Sequence, residues 1–204
     1  DVGKKILLPY FLKNGVSQID LAIVTHLHQD HYAGVASLCH LMPVSKLGVY
    51  EGEGKGEGET EILEKTGLSP ENLLYLTAGQ SVLVEEEVRI DILYPLAKSD
   101  EEYEIMKTEE EDENASTLVA KVVYEGVSIL LTGDLGFEGE DDLLALYGNG
   151  KGSRLCTDIL KVGHHGSHYS PGDAFLACVA PSLAVIQVGQ NNFGHPHPDV
   201  LEVG

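Results

Sequence analysis

The stretch Thr25-His26-Leu27-His28-Gln29-Asp30-His31 constrains this chain more than any other. It follows an apolar run, Ile19 to Val24, that reads as a buried strand, and it precedes Tyr32-Ala33-Gly34-Val35, which opens a helical pattern. Three imidazoles and a carboxylate fall within six positions. Extended backbone alternates its side chains, so His26 and His28 share one side. Asp30 and His31, on the first turn of the following helix, point back toward the strand end. One loop therefore offers two ligand pairs, the pattern expected of a cradle for two metal ions.

Other strand ends carry residues of the same kind. Thr117 to Tyr124 and Val127 to Thr132 flank Glu125-Gly126 as a hairpin, and its second strand runs into Thr132-Gly133-Asp134. Asp158 to Val162 is a strand that ends in Gly163-His164-His165-Gly166-Ser167-His168. Leu183 to Val188 is the last strand, leading through Asn191-Asn192-Phe193-Gly194 to His195-Pro196-His197-Pro198. Eight of the nine histidines follow strands in this way, and ligands placed at one end of a sheet's strands converge in space. His40 alone is assigned to a helix surface or a packing role. Asp134 reads either as a helix N-cap or as a carboxylate bridging two metals. His164 or His165 completes a metal shell. His164 comes first off the strand and is preferred, although spacing does not separate adjacent residues.

The rest of the pattern is α/β. Helices are expected over Lys4 to Asn14, Asp30 to Met42, Thr60 to Thr66 with a stop at Gly67, Asp141 to Tyr147, and Pro171 to Val179. Ser170 is the expected N-cap of the last of these, with Pro171 at its first position. His197 is expected to cap a final helix begun by Pro198. Further strands are expected at Lys46 to Tyr50, Asn72 to Leu76, Ser81 to Val84 and Val88 to Tyr94.

A chain of 204 residues suits a single domain spanning 1–204, and its abrupt ends suggest one trimmed at both. It has no apolar run of eighteen residues, hence no spanning helix. Cys39, Cys156 and Cys178 are odd in number and lie in helix- or strand-like contexts, as buried thiols do. The formal net charge of -20 argues against an ordinary nucleic-acid binder, which carries a basic face. Two stretches stand apart. The alternating Gly and Glu from Glu51 to Glu59 reads as a mobile loop or lid and, with no GKS or GKT after it, not as a phosphate cradle. Residues 99–113 hold nine acids against a lone Lys107 and read as a solvated acidic insertion.

His26-Leu27-His28-Gln29-Asp30-His31 resembles the HxHxDH signature of the metallo-β-lactamase superfamily, and Thr132-Gly133-Asp134 resembles that superfamily's bridging aspartate. The stretches "LLPYFLKNG", "LLTGDL", "LKVGHHGS" and "VGQNNFGHPHP" are similar to the C-terminal hydrolase domain of the ComEC competence proteins. The resemblance implies an αββα sandwich of two mixed β-sheets, here lacking its first strands, with a dinuclear centre. It implies His26, His28, Asp30, His31, Asp134 and His164 or His165 as ligands of two divalent ions, Mn or Zn. Asp30 and Asp134 would also orient the attacking water, and His168, His195 or His197 would protonate the leaving oxygen. It further implies phosphodiester hydrolysis, with one strand of incoming DNA as substrate. Membrane-channel and DNA-binding domains of a longer protein, together with other competence proteins, are the implied partners. The implied location is the extracytoplasmic face of the cytoplasmic membrane. A small-molecule phosphodiesterase or esterase, and a non-catalytic metal-stabilised module of a DNA channel, are the alternatives.

The chain also departs from the superfamily. Many members place a further metal-binding histidine before the bridging aspartate, yet no histidine lies between His40 and His164. Asn114, Ser116 and Thr117 occupy that region, and an oxygen-richer site shifts preference from zinc toward manganese.

Overall fold

Strand β1 (Ile19–Ile23) begins the first of two sheets. It pairs in parallel with β2 (Val44–Tyr50), which pairs in parallel with β3 (Leu73–Leu76). The central strand β2 reads as a continuous buried run from Leu47 to Tyr50, as a parallel strand covered on its faces must. The computed structural model describes residues 1–52, 56–84, 87–97, 116–148 and 152–202. Helix α1 (Leu8–Lys13) follows a five-residue π-type turn, Gly3–Leu7, so the expected helix over Lys4 to Asn14 is split in geometry. Helix α2 (Gln29–Cys39) and helix α3 (Glu57–Thr66) cover the parallel sheet. Tyr32 and Ala36, four apart on α2, join Ile62 of α3, Val24, Leu47, Val49 and Leu73 in one apolar cluster.

The Gly–Glu stretch departs from its expected role as a mobile loop. Residues 53–55 lie outside the described residues, but Glu57 to Glu59 form the start of α3. A buried and a half-buried phenol supply the reason. Tyr75 Oη donates to Glu59 Oε2 at 2.9 Å, and Tyr32 Oη donates to Glu61 Oε1 at 3.1 Å. Burial, reinforced by these carboxylates, raises both phenol pKa values. The acidic insertion at 99–113 lies outside the described residues.

The second sheet has six strands in the order β4 (Ser81–Val84), β5 (Val88–Tyr94), β6 (Val119–Tyr124), β7 (Val127–Leu131), β8 (Ile159–Lys161) and β9 (Leu183–Val185). The first four are antiparallel and the last three are parallel, so this sheet is mixed. The β6–β7 turn has Glu125 at φ 47° and Gly126 at φ 83°, the doubly positive pair of a type I′ hairpin. Helix α4 (Phe137–Tyr147) starts four residues before the expected Asp141. With α5 (Asp173–Val179) it covers a core containing Leu93, Leu130, Leu135, Leu143, Leu155, Leu160 and Phe175. Burying each such side chain stabilises the fold by about 1.5–3 kcal/mol. Helix α6 (Pro198–Glu202) is capped as expected, with the Asp199 N–H donating to His197 Nδ1 at 3.3 Å.

The chain folds as two compact units, Asp1–Thr77 with Ala97–Ser116, and Ala78–Leu96 with Thr117–Gly204. Ser170 is not the N-cap of α5. Gly172 is, and Pro171 precedes the helix. The Ser170 hydroxyl instead donates to buried Glu140 Oε1 at 2.7 Å, while the Gly172 N–H donates to Glu140 Oε2 at 2.8 Å. A carboxyl group thirty residues away outcompetes the local cap because its two oxygens accept both bonds at once. The three cysteines are free thiols, half-buried and not fully buried as expected.

Candidate metal centre

In the first unit, β1 ends at Ile23 and Val24 is buried, so the chain leaves the sheet at Thr25. His28 has extended backbone (φ -64°, ψ 142°) and is the N-cap of α2, so the next residues turn into the helix. Three rings meet as a result. His26, 1 % exposed, has its Nε2 3.0 Å from His28 Nδ1, and its ring centroid lies 4.1 Å from that of His31. The Thr25 hydroxyl is 3.1 Å from His26 Nδ1 and 3.3 Å from His31 Nδ1, which orients both rings from behind. Asp30 is exposed, and its Oδ2 lies 3.8 Å from His31 Nε2. The His26–His28 nitrogen separation of 3.0 Å is a few tenths of an ångström shorter than the ~3.3–3.4 Å edge of a tetrahedron with metal–nitrogen bonds of ~2.0–2.1 Å.

In the second unit, Asp134 sits on a turn fastened from several sides. Its N–H donates to Thr117 Oγ1 at 3.1 Å. Lys161 Nζ donates to Gly133 O at 2.8 Å, the His164 N–H donates to the same oxygen at 3.2 Å, and the Thr132 hydroxyl donates to Lys161 O at 2.7 Å. Asp134 is 3 % exposed. Its Oδ2 lies 3.5 Å from His165 Nε2.

It is His165, not the preferred His164, that faces Asp134. Both residues have left-handed backbone, at φ 43° and φ 56°, so strand alternation no longer decides which ring points where. His165 Nδ1 lies 2.8 Å from Gln187 O. A carbonyl only accepts, so Nδ1 donates this bond, and Nε2 is the nitrogen on the Asp134 side. Strand β9 ends at Val185, short of the expected Val188, which leaves Gln187 O outside the ladder to receive that bond. Gly163 is required here: a Cβ would lie 2.5 Å from Ser170 Oγ and 2.9 Å from Leu135 O.

His164 meets His195 instead, with ring centroids 5.7 Å apart. His168 and His197 form a separate, more exposed group. Their Nδ1 atoms each lie 3.4 Å from Asp199 Oδ2, and the His197 N–H donates to Gly166 O at 2.7 Å. His40 lies at the end of α2 with Nε2 2.9 Å from Lys65 O. Asn114 lies outside the described residues.

Residues 2–189 match the model of the metallo-beta-lactamase superfamily. The chain belongs to the metallo-beta-lactamase superfamily. It is 32% identical over 206 residues to ComE operon protein 3 of Bacillus subtilis, an alignment covering 99% of this chain and 24% of the relative. It is 39% identical over 87 residues to Competence protein ComA of Neisseria gonorrhoeae, covering 43% of this chain and 12% of the relative. The chain thus spans about a quarter or less of the length of these curated relatives. Among solved structures, a metallo hydrolase from the archaeon Ignicoccus hospitalis aligns with a TM-score of 0.51 at 16% identity, over 88% of this chain and 67% of the other. A diiron beta-hydroxylase from Streptomyces venezuelae aligns with a TM-score of 0.50 at 13% identity, over 88% of this chain and 40% of the other. These two likenesses concern the fold, which is the α/β metallo-β-lactamase class.

Membership in this metallo-hydrolase superfamily implies divalent metal ions, and the donors fit them. Imidazole nitrogens and carboxylate oxygens are the ligand set of zinc and manganese, and the Gln187 bond to His165 is the outer support that metal-bound imidazoles use. Spacing alone did not reveal the supporting residues Lys161 and Gln187, and it marked Thr117 only as an occupant of the missing histidine's region. Lys161 carried one signal, being a lysine inside the apolar run Ile159 to Val162.

Proposed function

We propose that this chain is a metal-dependent phosphodiester hydrolase acting on DNA, and that it degrades the strand not imported during competence-related DNA uptake. The observation that carries the reading is the buried Asp134 beside a His165 ring whose Nδ1 is held by Gln187 O. Similarity to a protein named for competence supports DNA as the substrate. His26, His28, Asp30 and His31 in the first unit would hold divalent metal, manganese or zinc, as would Asp134 and His165 in the second. When bound, such ions supply Lewis acidity and lower the pKa of water. Thr25, Thr117 and Lys161 hold the donor groups in place so that they need not reorganise. Asp30 and Asp134 orient the attacking water. Imidazole is the side chain best suited to proton transfer near neutral pH, and one of His195, His197 and His168 delivers a proton to the leaving oxygen.

Among the described residues no helix is long and apolar enough to cross a membrane. The membrane-channel and DNA-binding domains of a longer protein would hold this unit at the extracytoplasmic face of the cytoplasmic membrane, alongside other competence proteins. They would also supply the basic track that a chain of net charge -20 lacks. That charge favours a second reading, a small diester or ester as substrate.

Purified protein incubated with labelled single- and double-stranded DNA, with Mn²⁺ or Zn²⁺, tests both readings. DNA cleavage that needs metal and is lost in Asp134→Ala supports the proposal. Turnover of a small diester with intact DNA selects the second reading, and no turnover with any metal selects a metal-stabilised, non-catalytic module.

A further inference from the structure

The loop from Gly189 to His195 holds an aromatic ring in water. Phe193 is 83% exposed, the most exposed large apolar side chain among the described residues. A flexible loop would fold such a ring away, but this one is pinned by Asn191. Asn191 Oδ1 accepts the N–H groups of Phe193 at 3.0 Å and His195 at 3.1 Å. Its amide nitrogen donates to Gly189 O at 3.0 Å and to His195 O at 2.8 Å. Both lone pairs and both amide hydrogens are thereby used, so one side chain sets the path of the loop.

The displayed ring continues into the residues of the second unit already described. Phe193 stacks on His195 with centroids 5.9 Å apart and planes 22° apart, and His195 in turn meets His164. His164 adjoins His165, which faces Asp134. A second exposed ring, Tyr169, lies 5.5 Å from the His168 ring and 6.3 Å from that of Phe137, on the loop that follows the same histidines.

A flat, solvent-facing aromatic beside a hydrolytic centre gains by being covered with another flat ring. Stacking is insensitive to charge, so it suits an acidic chain that does not attract phosphate electrostatically. Bases inside a duplex are already stacked on one another, whereas an unpaired base has a free face. We propose that Phe193 is the platform for an unpaired nucleobase, which makes single-stranded DNA the preferred substrate. The proposal rests on the phosphodiesterase reading above.

The test compares the metal-loaded wild-type protein with Phe193→Ala and Phe193→Trp on two single strands of equal length, one with normal bases and one abasic. The readout is the ratio of kcat/KM for the base-bearing strand to that for the abasic one. Phe193→Ala is expected to lower this ratio about ten- to hundredfold, mainly through KM, and Phe193→Trp to retain it. A direct reading uses a 2-aminopurine single strand in EDTA, where nothing is cut. Wild-type protein is expected to quench its fluorescence and Phe193→Ala to lose the quench. An unchanged ratio, or equal quenching by wild type and Phe193→Ala, overturns the proposal. So does the loss of a protein partner with the ratio unaltered, which would assign the ring to a protein interface. If no metal supports cleavage of any strand, the phosphodiesterase reading fails, and the quench still decides whether Phe193 stacks on a base.

Discussion

Replacing Glu140 with glutamine should remove a pH dependence of stability that this one carboxyl creates. Glu140 is 3 % exposed on α4, and burial raises its pKa from 4.5 to about 7. Its bonds from the Gly172 N–H and the Ser170 hydroxyl oppose that rise without cancelling it. The folded pKa lies above the unfolded one, so the protonated form is the one that folding favours. Its stabilising contribution is complete below pH 4.5 and is lost as the pH rises through about 7. The difference amounts to about 3 kcal/mol across that window, at 1.36 kcal/mol per pKa unit. Glutamine keeps the shape and places its carbonyl oxygen against the Gly172 N–H and its amide against the Ser170 oxygen, a serine oxygen being able to accept.

The assay is thermal unfolding of wild type and Glu140→Gln between pH 4.5 and 8.5. All other titrating groups act equally in both proteins, so the difference in Tm isolates Glu140. At the low end the two should lie close together. Above pH 7 the variant should be the more stable, by about 6–12 °C for a chain of this size. Parallel pH profiles would refute the reasoning, because they would mean that Glu140 ionises in the folded state at its ordinary pKa.

Two further outcomes follow from the same loops. Gly163→Ala should destabilise the fold by about 1–3 kcal/mol in chemical denaturation, because its Cβ would lie 2.5 Å from Ser170 Oγ and 2.9 Å from the Leu135 carbonyl oxygen. Metal binding to the native state should stabilise wild type by about 2.7 kcal/mol at a Mn²⁺ concentration a hundred times Kd, and Asp134→Asn should lose most of that gain in differential scanning calorimetry.

The strands were legible because their signal is local. Ser81 to Val84 and Val88 to Tyr94 match the expected runs residue for residue, and Glu125-Gly126 marks the hairpin by turn chemistry alone. Helix starts were less legible where a distant group decides them. Composition assigned Glu57 to Glu59 to a loop, yet Tyr75 reaches back to Glu59 across sixteen residues. Ser170 obeyed the local rule for an N-cap in every respect, and Glu140 claimed its hydroxyl instead. No window of a dozen residues contains either partner.

The donor residues show the same division within a single dipeptide. That His164-His165 follows a strand is a local fact, and it was visible in the run Leu160 to Ser167. Which ring faces Asp134 depends on two left-handed residues in succession, a conformation that costs of order 1–3 kcal/mol at each non-glycine position. The costs are offset from outside the dipeptide. His164 N–H bonds to Gly133 O, His165 Nδ1 bonds to Gln187 O, and Gly163 packs without a Cβ against Ser170, which Glu140 holds. The same Glu140 whose ionisation weakens the fold therefore also holds the Ser170 hydroxyl against Gly163, the residue that opens the histidine loop.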